Sequence, residues 1–187
     1  VVVDGPINIT FKRVDTEEGL KIVYDTKGNI SSRFRAGVDK NGVLQIMERV
    51  DGKQAVIPTE VTLWFKSLDN ISISRATAVF EDAVEQKVMD VYIKAGANVT
   101  MDIDALDALV ECTGKSRLKI GGKARYFKLD ISTAKMEGIA LQTVAANIDA
   151  SHEAEVRVAV SERLEAVTST AAKLYYKGRP TIIRNKN

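Results

Sequence analysis

The chain has 187 residues, enough for one domain or two small ones, and its 45% hydrophobic and 28% charged content fits neither a disordered nor a membrane-embedded protein. Its 27 Lys and Arg against 25 Asp and Glu leave a formal charge of +2, without the basic surplus of a nucleic-acid binder. One cysteine, Cys112, and one histidine, His152, exclude an intrachain disulfide and a typical zinc centre.

Residues 1–75 read as strands separated by turns. Ile7, Ile9 and Phe11 alternate with polar neighbours, and Leu20, Ile22 and Tyr24 follow after a break. Asp39-Lys40-Asn41-Gly42 is a hairpin signal, because Asn-Gly tolerates the positive φ of tight hairpins. Val43 to Met47 is then the returning strand, closed by Asp51-Gly52-Lys53. Val61, Leu63 and Phe65 alternate with Thr62, Trp64 and Lys66, and Ile71 and Ile73 with Ser72 and Ser74. Arg33 with Arg35, and Arg179 with Arg184 and Lys186, read as local, solvated loop charge.

From Ala76 onward the period-two signal continues and a second regularity joins it. A small residue, a spacer and an apolar residue recur from Ala76, Ala97, Ser116, Ala134, Ala154 and Ala172, in steps of 21, 19, 18, 20 and 18 residues. Ile103 to Cys112 is the best helical candidate, but its length is marginal and Val99, Met101 and Ile103 continue an alternation. A β-sandwich would show hairpin turns at most connections, and these residues mostly lack them. The expectation is an all-β, right-handed parallel β-solenoid, with residues 1–75 as strands and hairpins capping coils of residues 76–187 in one continuous domain.

Val3-Asp4-Gly5-Pro6-Ile7-Asn8-Ile9, Ala95-Gly96-Ala97 and Leu174-Tyr175-Tyr176-Lys177-Gly178-Arg179-Pro180 resemble the auto-transporter adhesin, head GIN domain family over almost the whole chain. The resemblance implies a β-helix-like protein of the bacterial envelope or a secreted one, with no established catalytic activity and no catalytic residues to carry over. The family's Ser-Gly-Ser or Ser-Gly-Ala bends appear here as Ser132-Thr133-Ala134 and Ser169-Thr170-Ala171-Ala172, so these bends are expected to avoid positive φ. No apolar run reaches the ~18 residues of a membrane span. The start at Val1, without Met or signal peptide, reads as a mature or trimmed form.

Candidate chemistry is sparse. Gly114-Lys115-Ser116 ends like a phosphate loop, but Leu109 stands where the first glycine is required. Asp102 and Asp104 are expected on one strand face, where like charges could create an acid–base pair, but a calcium loop would need further ligands. Asp130 with Ser132 and Asp149 with Ser151 repeat 19 residues apart, as capping groups at stacked bends or a row of acceptors for sugar hydroxyls. Trp64 falls on the polar side of its strand and could stack on a sugar ring or lie under another strand. Tyr126 and Tyr176 could align by stacking. His152 between Ser151 and Glu153 is a poor triad, because neighbouring strand residues face apart.

The sequence thus points to a non-enzymatic, extracytoplasmic protein without cofactor or metal. It would bind polysaccharide or a surface protein through residues such as Trp64, Asp102, Asp104, Asp130 and Asp149, and could self-associate through the solenoid edges. The alternatives are a carbohydrate-active enzyme on a β-helix, using carboxylates near Asp102 and Asp104, and a structural or assembly module.

Overall fold

Alternation turns one side of each strand inward, and near-constant steps bring every strand back over the one before. In the computed structural model, which describes residues 1–51, 57–169 and 171–184, the outcome is an all-β solenoid of about six turns. The expected turn at Asp51-Gly52-Lys53, Thr170 of the last bend and Lys186 lie partly or wholly outside these residues.

Among the described residues, fifteen strands form one sheet that wraps around the core. They are β1 (Val2–Asp4), β2 (Ile7–Arg13), β3 (Lys21–Asp25), β4 (Phe34–Val38), β5 (Leu44–Glu48), β6 (Thr59–Phe65), β7 (Asn70–Ser74) and β8 (Thr77–Phe80). There follow β9 (Val84–Lys94), β10 (Asn98–Thr113), β11 (Arg117–Ser132), β12 (Lys135–Ser151), β13 (Glu155–Thr168), β14 (Lys173–Lys177) and β15 (Thr181–Arg184). β10 to β13 each run almost a whole turn and pair in parallel with the next. Ile103 to Cys112 is strand throughout.

The small residues form the expected column. Thr77, Asn98, Arg117, Lys135, Glu155 and Lys173 are successive register partners. The N–H of each of the last five donates to the carbonyl of Ala76, Ala97, Ser116, Ala134 or Ala154 one rung away, at 2.8–3.0 Å. Only small side chains fit inside so tight a corner. Ser116 fits because its hydroxyl donates to the Thr113 carbonyl (2.6 Å) and accepts from the Gly96 N–H (3.2 Å).

The bends do not avoid positive φ. Arg75, Ala95, Lys115, Thr133 and His152 have φ of 57°, 52°, 65°, 51° and 56°. The reversals before Ala76, Ala97, Ser116, Ala134 and Ala154 each hold a left-handed residue, kept there by stacked rungs on either side even where it is not glycine, while the bend at Ser169-Thr170-Ala171-Ala172 lies partly outside the described residues.

The first rung of the chain is not the first in space. β1 lies between β5 and β7, and β2 between β6 and β8, all in parallel. Val3 is fully buried between its partners Ile46 and Ile73. β3 and β4 close this end antiparallel to β6 and β5, with the Asn41-Gly42 hairpin joining β4 to β5 as expected. One buried apolar cluster runs from Val3 to Leu164. Cys112 is fully buried in it, and burial pushes its thiol up to about 12, so it stays protonated at neutral pH.

Asp4 and Arg75 clasp the inserted rung. The Arg75 Nε and Nη2 donate to the Asp4 carboxylate at 2.8 and 2.6 Å, and the guanidinium holds that carboxyl below its ordinary value. A depressed folded-state pKa means the contribution is complete above the unfolded value of about 3.9 and is lost as pH falls through the folded value. Asp4→Asn is therefore expected to lower the urea midpoint at pH 7, with the gap to the parent protein shrinking as the pH is taken toward 2. An equal gap at both pH values would contradict this.

Candidate functional site

The regular ladder is interrupted along one corner. Between Lys119 and Gly122 of β11, β12 carries one extra residue, and it carries three more than β13 between Gly138 and Gln142. Extra residues break the pairing and bend the strand. The bend leaves a groove of about 880 Å³ that crosses five successive strands, from Asp104 on β10 to Lys177 on β14.

Glycines make this corner possible. Gly122 has φ of 89°, and a side chain there would overlap the Ile103 carbonyl one rung below. Gly178, with φ of 118°, approaches the Val160 carbonyl in the same way.

Asp104, Lys123, Gln142 and Ala159 are successive register partners facing outward, and Ala105, Ala124 and Thr143 are buried beneath them. The Lys123 ammonium lies 3.0 Å from Asp104, so that pair is internally neutral. Thr143 donates to the Ala159 carbonyl (2.6 Å) and Ser161 to the Thr143 carbonyl (3.2 Å), which fixes the floor. Among the described residues Arg125, Glu162 and Lys177 make no ion pair, and their charge is open to a ligand. A smaller groove of about 410 Å³ holds Tyr126, the neighbour of Arg125 and 46% exposed, with Asp107, Lys128, Asn147, Arg163 and Glu165. The Arg125 guanidinium lies 5.6 Å from the Tyr126 ring centre.

The sequence-derived candidates do not converge. Asp104 lines the main groove, while Asp102 lies against Gly121 of the next rung. Two residues apart on one strand, they stand on the same wall rather than on opposing walls. Asp130 and Asp149 are register partners, in line with Glu111, and Ser132 and Ser151 are partners in line with Thr113. Lys94 contacts Glu111 at 3.2 Å and Lys128 contacts Asp130 at 3.9 Å. His152 Nδ1 lies 3.0 Å from Ser132 Oγ and 3.2 Å from Ser151 Oγ; its left-handed backbone turns the ring back onto both hydroxyls. Trp64 is half-buried on β6, three strands away from β10 through β2 and β8. The Lys21 ammonium stands 4.2 Å over its ring, covering one stacking face.

Tyr126 and Tyr176 are not aligned: Tyr126 pairs with Asp107 and Ala145, and Tyr176 with Val158. Arg125, Gln142 and Glu162 are not among the sequence candidates, because only the interrupted register brings them to one corner. The signal available in the sequence was Gly121-Gly122 followed by Gly138 at a near-rung step. Among the described residues no group of three or more His, Cys, Asp or Glu could hold a metal ion. No helix among them is long and apolar enough to cross a membrane.

Comparison with solved structures finds the same fold. A putative adhesin from Bacteroides fragilis superposes with a TM-score of 0.75 at 17% identity, covering 98% of this chain and 91% of that one. A putative adhesin from Parabacteroides merdae gives 0.69 at 13%, covering 99% and 87%. A putative lipid binding protein from Parabacteroides distasonis gives 0.67 at 13%, also covering 99% and 87%. No curated protein matches. The family model described as "Putative auto-transporter adhesin, head GIN domain" matches residues 1–180, as the motifs at both ends implied, and the chain belongs to that family.

Proposed function

We propose that this chain is a non-enzymatic, extracytoplasmic binding protein and that its corner groove takes a glycan. The observation that carries this reading is the groove itself. Guanidinium, amide and carboxylate groups of Arg125, Gln142 and Glu162 stand over an Ala and Thr floor across successive rungs. Planar polar groups suit paired sugar hydroxyls, and the small-residue floor suits the C–H face of a sugar. Successive rungs across the groove offer an extended polymer one contact group per step. The family's name and the folds of the adhesins support both the binding role and the location.

A glycan array read with the intact chain tests the idea. Binding is expected to weaken by about tenfold or more in Arg125→Ala/Gln142→Ala, the effect of losing a hydrogen bond to a charged group, and to survive Trp64→Ala and Asp130→Asn/Asp149→Asn. The reverse pattern would move the site to the flat faces. Shortening of a polysaccharide during incubation would replace binding by hydrolysis. A flat array together with crosslinking to a surface protein would make the ligand a protein.

Self-association through the C-terminal edge is disfavoured by Lys173, Lys177 and Pro180, residues that keep an edge strand from pairing.

A lipid ligand is a second reading, carried by the end that β3 and β4 close. Among the described residues, exposed large apolar side chains crowd into residues 20–57, with Val38 68% and Tyr24 52% exposed. The lipid-binding name of one relative agrees with this.

A further inference from the structure

Arg33 and Arg35 are two residues apart in the sequence, and folding adds Arg49 and Arg75 to them. The N–H of Arg49 donates to the Arg33 carbonyl at 3.0 Å, joining the two segments. Arg35 on β4 pairs with Met47, Met47 with Asp4, and Asp4 with Ser74 beside Arg75. The four arginines line a cleft of about 290 Å³ with Asp4, Ser32, Met47 and Glu48.

The local charge is not balanced. Asp4 takes Arg75, and Asp51 takes Arg49 (3.1 Å) and Arg33 (3.6 Å). Glu48 is buried, with one carboxylate oxygen accepting from Asn29 Nδ2 at 3.1 Å. Four cations therefore face three carboxylates, and Arg35 has no ion pair among the described residues. Arg75 gives two of its five donors to Asp4 and keeps the rest. Such a surplus of forked donors matches a phosphate or carboxylate group.

Arg35 and Met47 also line a second cleft, of about 570 Å³, with Tyr24, Phe34, Ala36, Val38, Asp39 and Gln45; the Asp39 carboxylate already accepts from the Asn41 and Val43 N–H groups and from Gln45 Nε2. The Tyr24 and Phe34 rings lie 4.4 Å apart there, and Met47 is 43% exposed. The cationic cleft thus runs, across two shared residues, into one where the exposed apolar side chains of Tyr24, Val38 and Met47 stand beside Asp39 and Gln45. An acidic sugar would leave the apolar half uncovered, whereas an amphiphile covers both.

We propose that this end of the solenoid binds an anionic amphiphile. Its phosphate or carboxylate head sits among Arg33, Arg35, Arg49 and Arg75, and its aliphatic part lies along Tyr24, Val38 and Met47. This rests on the lipid reading and is independent of the glycan groove.

Calorimetric titration of the full chain with decyl phosphate, kept below its micelle concentration, tests it. Saturable one-to-one binding is expected, with inorganic phosphate far weaker because each buried methylene adds roughly fourfold. Arg35→Ala is expected to weaken decyl phosphate by about tenfold or more, and Val38→Ser by several-fold. Arg117→Ala, on another face, should leave binding unchanged. Arg35 makes no ion pair and no side-chain hydrogen bond among the described residues, so its variant should keep the parent unfolding midpoint.

Vesicles identify the source of the head group. Co-sedimentation with phosphatidylglycerol but not phosphatidylcholine vesicles, lost in Arg35→Ala, supports a bilayer lipid. Binding of monomeric decyl phosphate alone supports a free amphiphile. Undiminished binding in Arg35→Ala overturns this site while leaving lipid binding intact elsewhere. No binding of either probe overturns the lipid reading too. Displacement of decyl phosphate by polygalacturonate would overturn the proposal in favour of an acidic glycan.

Discussion

Phe11→Ala is expected to destabilise the protein by about 3–5 kcal/mol, the range for truncating a buried aromatic. Phe11 is fully buried on β2. Its ring stacks on Phe80 at 4.0 Å and 3° and meets Phe65 edge-on at 6.2 Å. These partners come from the two strands that flank β2, so one side chain joins three rungs. Against a typical total of 5–15 kcal/mol, the loss is a large share of the stability. Urea unfolding followed by circular dichroism measures it, and hydrogen exchange locates it. If β2 is a central rung, protection should fall in β6 and β8 as well as β2. A loss under about 1 kcal/mol, or fraying confined to residues 1–13, would mean that the N-terminal rung is only appended.

The second large effect separates two neighbouring glycines. Gly122→Ala should cost roughly 2–6 kcal/mol, from backbone strain at φ of 89° and from overlap with the Ile103 carbonyl and an N atom 2.9 Å away. Both obstacles are backbone of the adjoining rung, which cannot yield without opening the ladder. Gly121→Ala meets the tip of the exposed Asp102 side chain, which can rotate away, and its φ is not left-handed. It should stay within about 0.5 kcal/mol of the parent protein. Thermal unfolding of the two variants side by side decides the matter. Equal effects would mean that the corner is looser than its geometry indicates, and the groove beside it would lose its fixed floor.

The clasp of Asp4 on Arg75 and the column from Ala76 to Ala154 show how differently two features can be read. The column is legible because a period needs only one strand at a time: each step returns a small residue to the same corner. The clasp joins residues 71 positions apart, and no local pattern announces it. The bends mark the boundary between these cases. Their places follow from the spacing, but their handedness does not follow from the residue types, because stacked neighbours hold Thr133 and His152 in a conformation their side chains disfavour.

The strands, the Asn41-Gly42 hairpin and the coil length are legible from residue order alone, because alternation and near-constant steps are local properties of the chain, and the family is legible from the resemblance of the motifs at its two ends. Folding alone reveals that β1 and β2 slot between later strands, that β12 bulges open a corner groove, and that Arg35, Arg49 and Arg75 line one cleft. Each of these depends on which rung lies beside which. Parallel stacking settles that through contacts between residues far apart along the chain, where single-strand periodicity carries no information.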